Sequence, residues 1–323
     1  MRFDIVRSAI GAALLVIALA GCSGTPSDGE GITVVATTTQ VGSVAGELGG
    51  DAIDLTVLLQ PGVEAHDFEL STAAGAAIEG ADLILKSGAG LETWLDDAIE
   101  TIGGEDRVRD LSTGIELRTS AEGEVDPHYW MSAPNAIRMV ENARAALVEA
   151  APAAAAGIDE RAAALVGRLE AADGEIRALI DEIPQDRRKV VTDHDALGYF
   201  IDEYGLEFVG SVFPSLDVSS DPSARDIELL VEVIRAQDVR AIFAESAVNP
   251  QLAEAVAAET GAKVSDETLY TDSLGEPGSG AETLDGMLLY DARVLHDGLI
   301  GSEMTQRGLA DALTTWFGPP TAA

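Results

Sequence analysis

The sequence is poor in several residue types, and each shortage excludes a class of protein or of bond. It has a single cysteine, Cys22, so no intrachain disulfide can form. Twenty lysines and arginines stand against 56 aspartates and glutamates, which gives a formal net charge of −36. We expect no nucleic-acid partner, because a polyanion would be repelled. A negative field would also concentrate cations near the protein, but solubility or a salty habitat would explain the charge equally well.

The N-terminus has the pattern of a targeting segment. An apolar run over residues 9–21 follows two arginines and is too short to span a membrane easily. It ends in small residues before Cys22, which resembles a bacterial lipoprotein box. We therefore predict a signal peptide over 1–21, lipid on Cys22 and a polar tether over 22–31. The alternative is a plain secretory signal with an incidental cysteine. Either signal predicts an extracytoplasmic protein, and the lipid would hold it at the outer face of the cell membrane.

Apolar or β-branched runs alternate with helical patterns, which favours an α/β fold with mostly parallel sheets. About 290 residues follow the tether, enough for two lobes with their own cores. We predict an N-terminal lobe over 32–152 and a C-terminal lobe over 185–318. Strands are predicted over 32–38, 53–60, 81–86, 188–192, 206–212, 241–244 and 262–264; helices are predicted over 41–48, 72–79, 134–150, 196–204, 223–237, 249–260, 282–299 and 303–315.

Residues 153–184 separate the two halves and predict one long linker helix. Apolar residues such as Leu165, Leu169 and Ile176 recur there close to the helical period, and Pro184 ends the pattern. Taken alone, the segment would also suit a coiled-coil arm. Because an α/β half flanks it on each side, we interpret it as a helix that joins two lobes.

Three of the four histidines lie in separate polar turns, and a fourth turn offers an aspartate. His66, His128, His194 and Asp272 are separated by 62, 66 and 78 residues. Three imidazoles and one carboxylate form a natural ligand set for a zinc-like divalent ion. Alternatively, each could be an ordinary loop or core residue, as most histidines are.

The predicted strands favour bringing these four side chains into one cleft. In open α/β sheets, ligands bind beyond the carboxyl ends of the strands. His66, His194 and Asp272 each follow a predicted strand, whereas no strand can be predicted just before His128. Two lobes arranged face to face would place His66 and His128 opposite His194 and Asp272.

The chain resembles the metal-specific solute-binding lipoproteins of bacterial ABC importers, the zinc and manganese binders of cluster A-I. The resemblance covers essentially the whole chain after the signal segment. It implies two pseudo-symmetric α/β lobes joined by a single rigid helix, with metal ligands at His66, His128, His194 and Asp272. The matching stretches are residues 59–66 (LQPGVEAH), 88–95 (GAGLETWL), 126–130 (DPHYW), 194–200 (HDALGYF) and 269–275 (LYTDSLG).

The chain departs from the family pattern in its loops but not at the four ligand positions. Ala65 and Leu70 stand where the family favours proline, and residues 131–134 replace the usual Leu-Asp-Pro. Zinc members often carry a histidine-rich loop before the second ligand. Here the corresponding segment, residues 120–125, is short, acidic and free of histidine, so we expect no role for it in loading metal into the site.

The ligand set favours zinc over manganese as the cargo. Manganese-type members tend to have glutamate at the third position, where this chain has His194. Imidazole suits zinc, whereas carboxylate and water suit manganese. Glu245 is the main rival carboxylate. We expect Glu245, Asp193 and Asp195 to orient ligand imidazoles rather than to bind the metal themselves.

The expected function is capture of Zn²⁺, or alternatively Mn²⁺, and delivery to an ABC permease driven by a cytoplasmic ATPase. The binding protein itself is expected to be a monomer and not an enzyme. A zinc hydrolase would need an open coordination position and a general base, and the sequence shows neither. An adhesin is a further alternative that no sequence feature favours. We expect metal binding to reorder the loops of His128 and Asp272 locally.

Overall fold

The first half of the chain forms a four-stranded parallel sheet in the computed structural model, which describes residues 31–66, 68–120, 123–218 and 221–300. The strands are β1 (Ile32–Ala36), β2 (Ile53–Val57), β3 (Leu83–Lys86) and β4 (Val108–Asp110). Their spatial order is β2-β1-β3-β4, with Val34 opposite both Leu55 and Leu83. The inner strand β1 is buried on both faces at Val34 and Val35, as the crossover helices of a parallel sheet require.

Four helices connect and cover these strands. Thr38 caps the first of them by accepting the N–H of Val41, so the helix begins directly after β1. Its inner face buries Val41, Val44 and Leu48 against the sheet. The helices are α1 (Thr39–Gly49), α2 (Thr72–Gly80), α3 (Thr93–Ile102) and α4 (Ala133–Ala150).

The second half repeats the strand order of the first. Its elements are β5 (Lys189–Thr192), α6 (Gly198–Tyr204), β6 (Glu207–Ser211), α7 (Ala224–Gln237), β7 (Ala241–Ile242), α8 (Gln251–Thr260), β8 (Lys263–Val264) and α9 (Leu284–Ile300). β6 pairs with β5 and β8 pairs with β7, all in parallel, and a bridge between Thr192 and Phe243 joins the two pairs. The resulting order β6-β5-β7-β8 matches β2-β1-β3-β4.

One long helix, α5 (Ala155–Glu182), connects the halves and packs against α4 of the first and α9 of the second. At 1.5 Å per residue it is about 42 Å long. Leu165, Leu169 and Ile176 are buried in a core that both halves share. Arg168 donates to Glu47 in α1 and to Asp285 in α9, so it contacts both lobes. The predicted α/β fold with two pseudo-symmetric lobes and a long connecting helix is confirmed.

The structure also differs from the predicted elements. β4 and α3 were not predicted, and the strand predicted over 53–60 ends at Val57. β4 has the sequence Val-Arg-Asp and lies at the sheet edge, so it lacks the apolar run from which the other strands were predicted. The signal segment, Cys22 and the helix predicted over 303–315 lie outside the described residues. Among the residues that are described, no helix has the length and apolar character needed to cross a membrane.

Candidate metal centre

The four predicted ligands lie together between the lobes, beyond the carboxyl ends of the strands. His66 Nε2 is 3.5 Å from His128 Nε2. The Asp272 carboxylate lies between the other two histidines, with Oδ1 3.2 Å from His128 Nε2 and Oδ2 3.3 Å from His194 Nε2. Donor atoms of His66, His128 and Asp272 all lie within 4.8 Å of one another, and His194 joins this group through Asp272.

His66 lies in the turn that follows β2 and is the most exposed of the four. The indole N–H of Trp94, from α3, donates to the carbonyl of Ala65 at 3.2 Å. The Trp94 ring also packs edge-on against Phe68, with ring centroids 4.9 Å apart. Trp94 therefore contacts the chain on both sides of His66, a role that was not predicted from the sequence.

His128 is fully buried, and Asp126 fixes its ring. Asp126 Oδ1 accepts the backbone N–H of His128 at 3.0 Å and lies 2.9 Å from its Nδ1. The other carboxylate oxygen, Oδ2, accepts from Arg118 at 2.7 Å. Occupying Nδ1 in this way turns Nε2 toward the cleft. This role of Asp126 was not predicted from the sequence, although an aspartate two residues before a histidine is well placed for such a contact.

His194 follows β5 directly and is paired with Glu245, which follows β7. Glu245 Oε2 is 2.8 Å from His194 Nδ1, and Oε1 accepts the His194 backbone N–H at 2.9 Å. Glu245 thus faces His194 Nδ1 as Asp126 faces His128 Nδ1, but the Glu245 contact is a close charge pair and not a well-oriented hydrogen bond. Asp193 accepts the backbone N–H of Glu245 at 2.8 Å, so it holds Glu245 and, in the part of the chain that the structure describes, makes no hydrogen bond to the His194 imidazole. Within the described structure, the side chain of Asp195 makes no hydrogen bond to an imidazole.

Asp272 lies in a segment of the second lobe, residues 271–274, that is bound to the first lobe. The Thr271 carbonyl accepts N–H groups from Trp130 at 2.9 Å and from Gln40 at 3.1 Å. Ser273 Oγ accepts the Gly62 N–H at 2.9 Å, and the Leu274 N–H donates to Thr39 Oγ1 at 2.8 Å. Asp272 thus reaches His128 because its neighbours on both sides are held by the opposite lobe.

A second set of contacts joins the lobes behind His128. The Tyr199 hydroxyl, from α6, donates to the Asp126 carbonyl at 2.8 Å and accepts the Arg118 N–H at 2.8 Å. The Arg118 guanidinium bridges Asp126 and Asp202. Gly198 makes this approach possible, since a Cβ there would lie 1.5 Å from Arg118 Nη1. His128 is therefore positioned by groups from both lobes.

The charges of the cluster compensate one another. Burial would raise the pKa of Asp272, but His194 and His128 hold it well below its usual range. Burial would lower the pKa of His128 and of His194. Contacts with Asp126 and Asp272 outweigh burial at His128 and raise its pKa to about 10. The charges of Glu245 and Asp272 do the same at His194 and raise its pKa to about 9. Burial lowers the pKa of His66, and the charge of the nearby His128 adds to this effect, so that the pKa is about 4. The raised pKa values of His128 and His194 favour the protonated form of both imidazoles beside the Asp272 carboxylate.

The fourth histidine takes no part in this cluster. His296 lies in α9, where Nδ1 is 2.8 Å from Asp297 and Nε2 is 3.3 Å from Glu182 at the end of α5. It therefore lies between α9 and the end of α5, away from the other three histidines.

Comparison with known proteins identifies the family. A family model described as zinc-uptake complex component A, periplasmic, matches residues 34–298. The manganese-binding lipoprotein MntA of Bacillus subtilis is 32% identical over 306 residues, which are 90% of this chain and 98% of that protein. The iron-binding protein YfeA of Yersinia pestis is 32% identical over 259 residues, 78% of this chain and 82% of that protein. The periplasmic zinc-binding protein TroA of Treponema pallidum superposes with a TM-score of 0.79 at 26% identity, covering 83% of this chain and 99% of that one.

These matches confirm the resemblance inferred from the motifs. The family model covers both lobes and the connecting helix, and the match to TroA covers nearly all of that solved chain. Members of this family are binding components of transporters and not enzymes. The chain belongs to the family of zinc-uptake complex component A, periplasmic, and is a metal-binding solute-binding protein of an ABC importer, of cluster A-I.

Proposed function

We propose that the protein captures one divalent transition-metal ion through Nε2 of His66, His128 and His194 and the carboxylate of Asp272. The observation that carries this proposal is the spacing of the donors. Donor atoms are 3.2–3.5 Å apart along the three contacts described above, and His66, His128 and Asp272 form a compact group that His194 adjoins through the second oxygen of Asp272. Four ligands at 2.0–2.1 Å from a tetrahedral ion are about 3.3 Å from one another.

The direction of the donor atoms supports the same role. Buried His194 Nε2 and Asp272 Oδ1 make no well-oriented hydrogen bond within the described structure, although each lies close to a polar neighbour. Such atoms are costly to bury unless a partner satisfies them. A cation at the point where they converge would be that partner. The carboxylates on Nδ1 of His128 and His194 would strengthen both imidazoles as ligands.

Within this function, zinc is the cargo that the donor set favours. Three imidazoles and one carboxylate suit zinc, and a harder ion such as manganese prefers more oxygen ligands. Manganese is the second candidate, because the relative MntA, at 32% identity, is named a manganese-binding lipoprotein.

The loaded protein would deliver its ion to an ABC permease, whose cytoplasmic ATPase drives import. We propose that lipid on Cys22 holds the protein, as a monomer, at the outer face of the membrane. The support is the small-residue sequence before Cys22 and the name lipoprotein given to relatives such as MntA.

Metal competition tests the cargo. The purified full-length protein, stripped with a chelator, is expected to bind one zinc ion per chain even against equal manganese. Because zinc outcompetes manganese at most such sites, affinity alone is not sufficient. A deletion strain grown with limiting metal should therefore regain growth with the gene and zinc, but not with the gene and manganese. Rescue by manganese alone would establish the second candidate, and absence of metal binding would refute capture itself.

Removal of the single thiol tests the anchor. Cys22→Ser is expected to move the protein from the membrane fraction to the soluble extracytoplasmic fraction, because the only site for lipid is lost. Fractionation followed by immunoblotting measures the distribution, and metal binding by the released protein serves as the control for folding. A variant that stays with the membrane would contradict lipidation at Cys22.

A further inference from the structure

Thr271, the residue before Asp272, contacts both lobes at once and is only 1% exposed. Its carbonyl accepts two buried N–H groups of the first lobe, from Trp130 at 2.9 Å and from Gln40 at 3.1 Å. Its hydroxyl donates to Oε2 of Glu245 in the second lobe at 2.5 Å. No other residue of segment 271–274 has described hydrogen bonds to both lobes.

Two of these contacts, those with Glu245 and Trp130, lead to a proposed metal ligand. Glu245 Oε2, which accepts from the Thr271 hydroxyl, also lies 2.8 Å from His194 Nδ1. The Trp130 ring lies edge-on to the His128 ring, with centroids 5.7 Å apart. Asp272 is the next residue in the chain. Thr271 therefore connects the groups that position three of the four donors, and it is not itself placed to bind the ion.

We infer that Thr271 is a positioning residue that sets how slowly the captured ion is released. This inference rests on the proposed function. For the ion to leave, Asp272 must withdraw from His128 and His194. The main chain at Asp272 is held in place while the Thr271 carbonyl accepts from two donors and the hydroxyl donates to Glu245, which keeps the carboxylate close to His128 and His194. Buried hydrogen bonds of this kind act together, since breaking one leaves a polar group without a partner in a dry environment.

Three variants and a control test this role through the rate of zinc release. Thr271→Val keeps the shape and the carbonyl but removes the donor to Glu245, whereas Thr271→Ser retains that donor. Gln40→Met removes one donor to the carbonyl while Trp130 still satisfies it. Thr260→Val is the matched control, because the Thr260 hydroxyl donates within α8, to Val256.

The measurement is stopped-flow release of zinc from the loaded full-length protein into excess chelator. We expect Thr271→Val to release zinc at least about tenfold faster, as is usual when a group that orients a metal ligand is lost. Thr271→Ser should stay near the wild-type rate, Gln40→Met should be faster, and Thr260→Val should be unchanged. A purely structural role predicts a lower melting temperature of the metal-free protein with an unaltered release rate.

The outcomes separate this inference from the proposed function. If the wild-type protein binds no zinc, both the proposed zinc capture and the role of Thr271 are refuted. If it binds one zinc and Thr271→Val releases it at the wild-type rate, only the role of Thr271 is overturned. A Thr271→Val protein that does not fold leaves Gln40→Met as the deciding variant, and a wild-type release rate there overturns the inference. Failure of Thr271→Ser to restore slow release also contradicts it, because the hydroxyl would then not be the active group.

Discussion

His194→Ala is expected to weaken zinc binding by at least about 100-fold. Protein zinc sites with four ligands bind with roughly 10–16 kcal/mol, so one ligand contributes about 3 kcal/mol, and 1.4 kcal/mol corresponds to a factor of ten. The loss also leaves Glu245 Oε2 without the imidazole that lies 2.8 Å away. Competition with a fluorescent zinc chelator measures the change.

His296→Ala provides the matched control, because this histidine contacts Glu182 and Asp297 instead of the cluster. It should leave zinc affinity unaltered. Glu245→Gln should give an intermediate loss of about tenfold, since the amide is a weaker partner for His194 Nδ1. If His194→Ala binds zinc as tightly as the wild type, the third ligand has been misassigned, and Glu245 is the nearest candidate to replace it.

Arg168→Ala is expected to lower the free energy of unfolding of the metal-free protein by about 3 kcal/mol. Breaking a buried ion pair costs roughly 3–5 kcal/mol, because the remaining charge stays buried without a counterion. That charge is on Asp285, which is 1% exposed and lies 2.8 Å from Arg168 Nε. The lower end of the range applies because the Arg168 side chain is itself 32% exposed. Urea denaturation followed by circular dichroism measures the effect.

The control for this experiment is an ion pair of the same type at the surface. Arg138→Ala removes a partner of Glu141, and both side chains are about half exposed, so the change should be below about 1 kcal/mol. Adding Asp285→Asn to Arg168→Ala should recover part of the lost stability, because it removes the buried charge. If the double variant is as unstable as Arg168→Ala, packing of the arginine stem, and not charge, accounts for the loss.

The sequence was sufficient to predict the fold class and the position of the four clustered side chains. His66 and His194 follow apolar strands, and the carboxyl ends of parallel strands meet at one sheet edge. The long helix was predictable because Leu165, Leu169 and Ile176 recur at helical spacing without an interrupting proline. These features depend on local patterns, which a single sequence displays.

The groups that orient the ligands were only partly predictable. Glu245 was expected to contact an imidazole and does so, whereas the aspartates beside His194 make no such contact. Asp126 was not predicted, because an aspartate before a proline is also common at an ordinary turn. The role of Thr271 could not be predicted, since Gln40 is 231 residues away and Trp130 is 141 residues away in the sequence. Contacts of that range depend on how the two lobes pack, which no local pattern records.

The packing of α5 against both lobes affects how the empty and the loaded protein compete for the permease. A helix buried in a shared core limits how far the lobes can swing apart, so the outer surfaces of the empty and loaded forms should be nearly the same. A permease that binds those surfaces can distinguish the empty form from the loaded form only by small differences near the cleft. Empty protein should therefore occupy the transporter almost as readily as loaded protein. When the ion is scarce, a surplus of binding protein would slow import.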